Sequence, residues 1–227
     1  MYRYCRARAI VVMAMWGCAA STAVASDFSF TGAFGADDAL IYLQFVASSP
    51  NAVIETWGYG GGTNAGGDII LAGGFDPILT LFDSTGGILN PANVLLDSNN
   101  NGTCPPANAD GGLCYDAYLA ETTLNPGSTY LLVLSQNDNG AVGTTLGDGF
   151  SQVGNGNFTG AGFGCPNGQF CDNFANNRTG NWAVDILDVT SAQAPQAVPE
   201  PGMALMVFTA LGGTLLLRRR HKAKRAK

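Results

Sequence analysis

Histidine occurs once in the 227 residues, at His221, and between Ser26 and Val198 there is no lysine and a single arginine, Arg178. Ser-His-Asp, Cys-His and His-ligated zinc mechanisms each need an imidazole that titrates near neutrality or binds metal, so this stretch is not equipped for them. A lysine Schiff base and a P-loop are excluded in the same way. Ten of the eleven Lys and Arg residues sit in the two terminal segments, which leaves Arg178 against 16 Asp and Glu between Ser26 and Val198. A body of that sign repels phosphate backbones and disfavours nucleic acid as a partner, while it attracts divalent cations or basic partners.

Cysteine is sparse as well. Cys5 and Cys18 fall near the N-terminus, and Cys104, Cys114, Cys165 and Cys171 follow. Neither close pair has C-x2-C spacing and no imidazole lies within reach of them in the sequence, so disulfides are the stronger reading than zinc. Spacing favours Cys104 with Cys114 and Cys165 with Cys171 among the three connectivities, each closing a small loop, as suits an oxidising compartment. There is hardly any helical pattern before Gly202.

What is present alternates. Phe28, Phe30 and Phe34, then Leu40 to Val46, then Val53 to Trp57 predict three half-buried strands. The Gly-rich Tyr59 to Gly67 predicts a long loop. Asp76 to Asp83, with a turn at Ser84 to Gly87 into Ile88 and Leu89, predicts a hairpin. Val94 to Leu96 leads into a polar loop, Asp97 to Gly112, and Leu113 to Leu119 alternates again. Thr129 to Ser135 is the most strongly β-forming stretch and predicts a central strand. Gln136 to Gly180 carries no period, and Trp182, Val184, Ile186 and Val189 predict a closing strand. About eight short strands favour an all-β fold, a jelly-roll-like β-sandwich over residues 26–190.

Both ends carry export features. Arg3, Arg6 and Arg8, an apolar Ile10 to Ala20 and the small Ala23-Val24-Ala25 predict a cleaved signal peptide over residues 1–25. Residues 191–198 predict an extended linker. From Gly202 to Leu217 there is no charge, and eight of the last ten residues are Arg, Lys or His, which predicts a short transmembrane helix with a cytoplasmic basic tail. Val198-Pro199-Glu200-Pro201, this apolar helix and the Arg-rich terminus together resemble the PEP-CTERM sorting signal of Gram-negative bacteria, over residues 199–227. The resemblance implies processing at the Pro-Glu-Pro segment by an exosortase-like membrane enzyme.

A second resemblance spans about Phe28 to Ser135. Leu40-Ile-Tyr-Leu-Gln-Phe45, Phe75-Asp-Pro-Ile-Leu-Thr-Leu-Phe-Asp-Ser-Thr-Gly-Gly-Ile-Leu89 and Leu124-Asn-Pro-Gly-Ser-Thr-Tyr-Leu-Leu-Val-Leu134 are similar to the pre-peptidase C-terminal type of domain. That implies a small jelly-roll sandwich appended to secreted proteins, and the segment from Gln136 to Asn181 departs from its usual form.

Candidate sites are few. Asp97-Ser-Asn-Asn-Asn-Gly102 fits D-x-[DN]-x-[DN]-G, with Asp97, Asn99 and Asn101 as calcium ligands, but Asn108 stands at the twelfth position, where an acid is expected, and Asp110 is its substitute. A loop of Asx turns stapled by Cys104 to Cys114 accounts for the same residues. Asp76, Asp83, Asn137, Asp138 and Asn139 are further oxygens at strand ends. Glu55 and Glu121 are the only glutamates of the body, and carboxylate-only chemistry survives, since glycoside hydrolysis needs just two acids flanking the sugar bond. Trp57, Tyr59, Phe150, Phe158 and Phe163 lie in Gly-rich loops, where packing onto the domain outweighs stacking on sugar. The expectation is a non-enzymatic surface or extracellular-matrix protein, associated with exopolysaccharide or biofilm, with no catalytic residue. Its alternatives are a carboxylate-based polysaccharide hydrolase and a calcium-dependent carbohydrate-binding module.

Overall fold

Alternation of apolar and polar side chains puts one face of a strand against a core, and ten strands follow this rule or are recruited by their neighbours in residues 24–101 and 115–193, which the computed structural model describes. They are β1 (Ser26–Ala33), β2 (Ile41–Ala47), β3 (Ala52–Thr56), β4 (Gly62–Thr63), β5 (Ile69–Ile70), β6 (Pro77–Asp83), β7 (Leu95–Asn99), β8 (Tyr118–Glu121), β9 (Thr129–Gln136) and β10 (Asn181–Gln193). One short α-helix, α1 (Phe158–Phe163), and a single 3-10 turn, Leu146–Asp148, accompany them. The all-β class is therefore the observed one.

The main sheet is antiparallel, in the order β7-β6-β9-β2-β10-β3-β8, with β1 added beside β10, and it curls until β7 comes near β8. β10 makes this possible. Its Val184 faces Phe30 of β1 on one edge and Thr56 of β3 on the other, and farther along Ser191 to Gln193 pair with Val46 to Gln44 of β2. The register shifts between Val189 and Ser191, beside Asp188 in the left-handed region at φ 60, so one strand bends from one half of the sheet into the other. β4 and β5 form a separate two-stranded ribbon.

β9 is central, as its composition predicted, between β6 and β2. Leu132 and Leu134 point into the large core with Leu43, Phe45, Ile54, Leu79, Val184 and Ile186. Leu131 and Val133 point the other way, into a smaller cluster with Phe82 and Phe150. Both faces are thus covered. Each of these fully buried Leu side chains contributes about 1.5–3 kcal/mol.

Three expectations are corrected. The partner of β6 is β7, through Leu79 with Asn99 to Phe82 with Leu95, and not Ile88-Leu89. Ile88 packs on the outer cluster instead, in a loop closed by Asp83, whose Oδ1 accepts the Val94 N–H at 2.7 Å. The polar loop read from Asp97 begins later, because residues 97–99 belong to β7. The linker read from Ser191 also begins later, because Ser191 to Gln193 still pair with β2 through backbone groups that small side chains do not reveal. The predicted signal peptide, the predicted membrane helix and most of the predicted linker lie outside the described residues, and no helix among the described residues is long and apolar enough to cross a membrane.

Segment 137–180 has no period, yet long-range bonds place it. Asp37, fully buried, accepts the Thr159 N–H at 2.9 Å, the Thr159 hydroxyl and the Phe170 N–H at 2.7 Å. Asp38 accepts the N–H groups of Gly154 and Gly156, both at 3.0 Å. Cys165 and Cys171 form the expected disulfide.

Candidate functional site

Eight acids among the described residues fall in three places. The first lies on the outer face of β3 and β10. Glu55 and Asp185 are directly paired across these strands, so both side chains project from one face. Asp185 is fully buried and Glu55 is 8% exposed. The Gly-rich segment after β3 folds back over them: Trp57 Nε1 and the Ala65 N–H donate to Asp185 Oδ2 at 2.8 and 2.7 Å, and the Gly66 N–H donates to Ser29 Oγ at 2.8 Å. Glycine is needed at Gly74, where a Cβ would meet the backbone of Asn181 and Gly58. Burial, with the Asp185 charge beside it, pushes Glu55 up to about 7.

The second place surrounds Arg178, the only base among the described residues. Its guanidinium stacks 3.3 Å above the Tyr59 ring and its Nε lies 3.5 Å from Asp172 Oδ2. The Tyr59 hydroxyl donates to the same carboxylate at 3.3 Å, and burial pushes that phenol up to about 12. Burial works against an ionised Asp172, but hydrogen bonds from Asn176 and Phe174 and the Arg178 charge hold its carboxyl below the usual range. Tyr115 leans on Tyr59 at 4.6 Å, and Phe174, 62% exposed, meets the Tyr115 ring edge-on. Asp116 fixes the loop beneath by accepting the Gly60 and Tyr59 N–H groups at 2.7 and 3.1 Å and the Thr56 hydroxyl at 3.0 Å. Close by, Asp76 is buried, and that burial pushes its carboxyl up to about 7.

The third place is the seam between β7 and β8, which side chains close without a backbone ladder. Asn99 Oδ1 accepts the Tyr118 N–H at 3.1 Å. Asp97 and Glu121 face each other there, and burial followed by the Asp97 charge raises the Glu121 carboxyl above its ordinary range. At this end a cleft of about 270 Å³ is lined by Asp83, Glu121, Asn125, Ser128 and Tyr130, among others.

The sequence-predicted residues scatter over these places. Asp97 and Asn99 sit on an extended strand, so they do not curl around one ion as the loop motif requires. Asn101 turns away at φ 62 and its amide donates to Asp76 Oδ2 at 3.4 Å. Asp110, Cys104, Cys114, Val198, Pro199, Glu200 and Pro201 lie outside the described residues. Glu55 pairs with Tyr118, and Glu121 with Ala52, which puts the two glutamates on opposite faces of the β3–β8 pair rather than across one sugar bond. Trp57, Tyr59 and Phe150 are buried, in line with packing, while Phe158 and Phe163 are half-buried. Among the described residues no three Asp, Glu, His or Cys side chains gather as a metal-binding group. Asp185, Asp172 and Arg178 were not singled out as a site by sequence reasoning. Arg178 alone carried a signal, as the solitary base.

Compared with models of known protein families the chain matches none, and no curated protein matches it either. The site therefore has to be read from its own chemistry.

Proposed function

We propose that this chain is an exported, non-enzymatic surface or extracellular-matrix protein whose all-β body binds or builds matrix, sorted by a PEP-CTERM-type route. One observation carries the reading, namely where the charges lie. Every base but Arg178 is confined to the termini, with the C-terminal cluster directly behind an uncharged apolar run, and Arg178 is spent internally on Asp172 and Tyr59. The Cys165–Cys171 disulfide supports an oxidising destination. The jelly-roll description, the exosortase-like partner, contact with exopolysaccharide and delivery beyond the inner membrane belong to the same proposal. Replacing Pro199, Glu200 and Pro201 by Ala and following a C-terminal epitope tests it. The expected result is retention of the unprocessed form in the membrane fraction, and unchanged processing and release would refute the sorting route.

The cleft at the β7–β8 seam favours one second reading, a carboxylate-only polysaccharide hydrolase, because Asp83 and Glu121 both line it. Here Glu121, its carboxyl raised, would serve as proton donor, and Asp83 would be the second acid. Turnover of matrix glycans that is lost in both Asp83→Asn and Glu121→Gln would establish this reading. No turnover by the unaltered protein leaves binding as the function.

A further inference from the structure

Three neighbouring strands end together with polar groups that have no partner. In the sheet order β7-β6-β9, Asn101 follows the end of β7, Asp76 precedes β6 and Gln136 ends β9. Pro77 is directly opposite Gln136, and Leu79 is opposite Asn99, so the three residues reach the same level. The Asn137 N–H donates to the Asp76 carbonyl at 2.7 Å and the Asn100 amide donates to Asn137 Oδ1 at 2.9 Å, which ties the three chain segments together. Asn101 reaches back in the left-handed conformation, with its amide 3.4 Å from Asp76 Oδ2.

At this level Asp76 Oδ1, Asn101 Oδ1 and both polar atoms of Gln136 are buried with no hydrogen-bond partner among the described residues. Asp76 and Gln136 are each only 1% exposed. Leaving such groups unpaired costs about 1–3 kcal/mol each, and more for a carboxylate. Bridging water would serve amides alone. It would not offset the charge that Asp76 carries once ionised, which burial, Asp116 and Asp138 oppose and only the Asn101 hydrogen bond and the Arg178 charge favour.

We infer that Asp76, Asn101 and Gln136 form a binding site for a hard divalent cation, calcium, with one carboxylate and two amide oxygens as its protein ligands. Calcium accepts carboxylate and amide oxygens in flexible geometry and completes its shell with water. With a single anionic ligand the site is a weak one, in the range of about 10⁻⁴–10⁻³ M typical of extracellular modules. The cation gives Asp76 Oδ1, Asn101 Oδ1 and Gln136 Oε1 their missing partner, leaves the Gln136 Nε2 donor to water, and staples the ends of β7, β6 and β9. The site differs from the linear Asp97-to-Gly102 motif, of which it keeps only Asn101.

The test uses the full chain as recovered from cells, stripped with chelator and titrated with calcium alone, by calorimetry and by thermal unfolding. Calcium at about 10 mM is expected to raise Tm by about 4–8 °C. Asp76→Asn, which keeps the side-chain shape, should abolish the response, and Gln136→Leu should weaken binding at least about tenfold, the effect of one lost ligand. Asp97→Asn should leave the response intact. No heat and no Tm change in the unaltered protein, or a full response in Asp76→Asn, would overturn the inference, as would loss of the response in Asp97→Asn. These outcomes are independent of the processing test on Pro199 to Pro201.

Discussion

The substitution Glu55→Gln is expected to make the protein more stable at neutral pH while leaving it unchanged in mild acid. Glu55 is 8% exposed, stands directly opposite the fully buried Asp185, and has no free base among the described residues to pair with, since Arg178 is engaged by Asp172 and Tyr59. Burial first, then the Asp185 charge, moves its carboxyl from the ordinary 4.5 up to about 7. The folded state therefore holds this proton more tightly than the unfolded state, and unfolding releases it at any pH between those values. By linkage, stability falls as pH rises through that window, by about 1.4 kcal/mol per pH unit at most, and levels off above it. The whole effect is on the order of 2–3 kcal/mol, the larger figure being the limit without solvent screening. Glu55→Gln keeps the neutral shape and cannot ionise. Urea unfolding of both proteins from about pH 4.5 to 8 should give coincident midpoints at the acid end and a midpoint for the variant higher by about 1–2 M at the alkaline end. Asp76, whose carboxyl is also raised, contributes the same slope to both proteins and cancels in the difference. Curves that stay parallel across the range would refute the claim that a buried, unpaired carboxylate sits on this face.

Two further outcomes follow from the anchoring of segment 137–180. Asp37→Ala strands the N–H groups of Thr159 and Phe170 in a buried site and should destabilise the protein by about 3–5 kcal/mol, read as a lower urea midpoint, with protease sensitivity appearing first in this segment. Replacing Cys165 and Cys171 by Ser opens a loop of six-residue separation and should cost about 2 kcal/mol by chain entropy, seen as a lower Tm that reducing agent reproduces in the unaltered protein.

Strands whose own side chains alternate were legible in the sequence. β2, β3, β6 and β10 fall where apolar and polar residues trade places, whereas β9 declared its central position by being apolar on both faces. The hairpin at Ile88-Leu89 was misread because two apolar residues after a turn look alike whether they extend a ladder or cover a sheet. Ile88 covers one. Segment 137–180 was opaque for a different reason, since its conformation depends on Asp37 and Asp38 more than a hundred residues earlier. The same distance hid the Glu55–Asp185 pair, which exists only once β10 has chosen its register against β3. In the calcium motif, spacing alone did not reveal that Asp97 and Asn99 would be drawn straight into β7, leaving Asn101 to find Asp76.

The bent β10 has a consequence for timing. It is the last strand along the chain among the described residues, yet it is the one to which β1, β2 and β3 all attach. A polypeptide emerging from its beginning can assemble β2, β6 and β9 early, but β1 waits without a neighbour and the two halves stay ajar until residues 181–193 appear. Completion is thus deferred until residues 181–193 are available, and a chain stopped short of Asn181 is an open-edged intermediate, exposed to degradation and to pairing with its own kind.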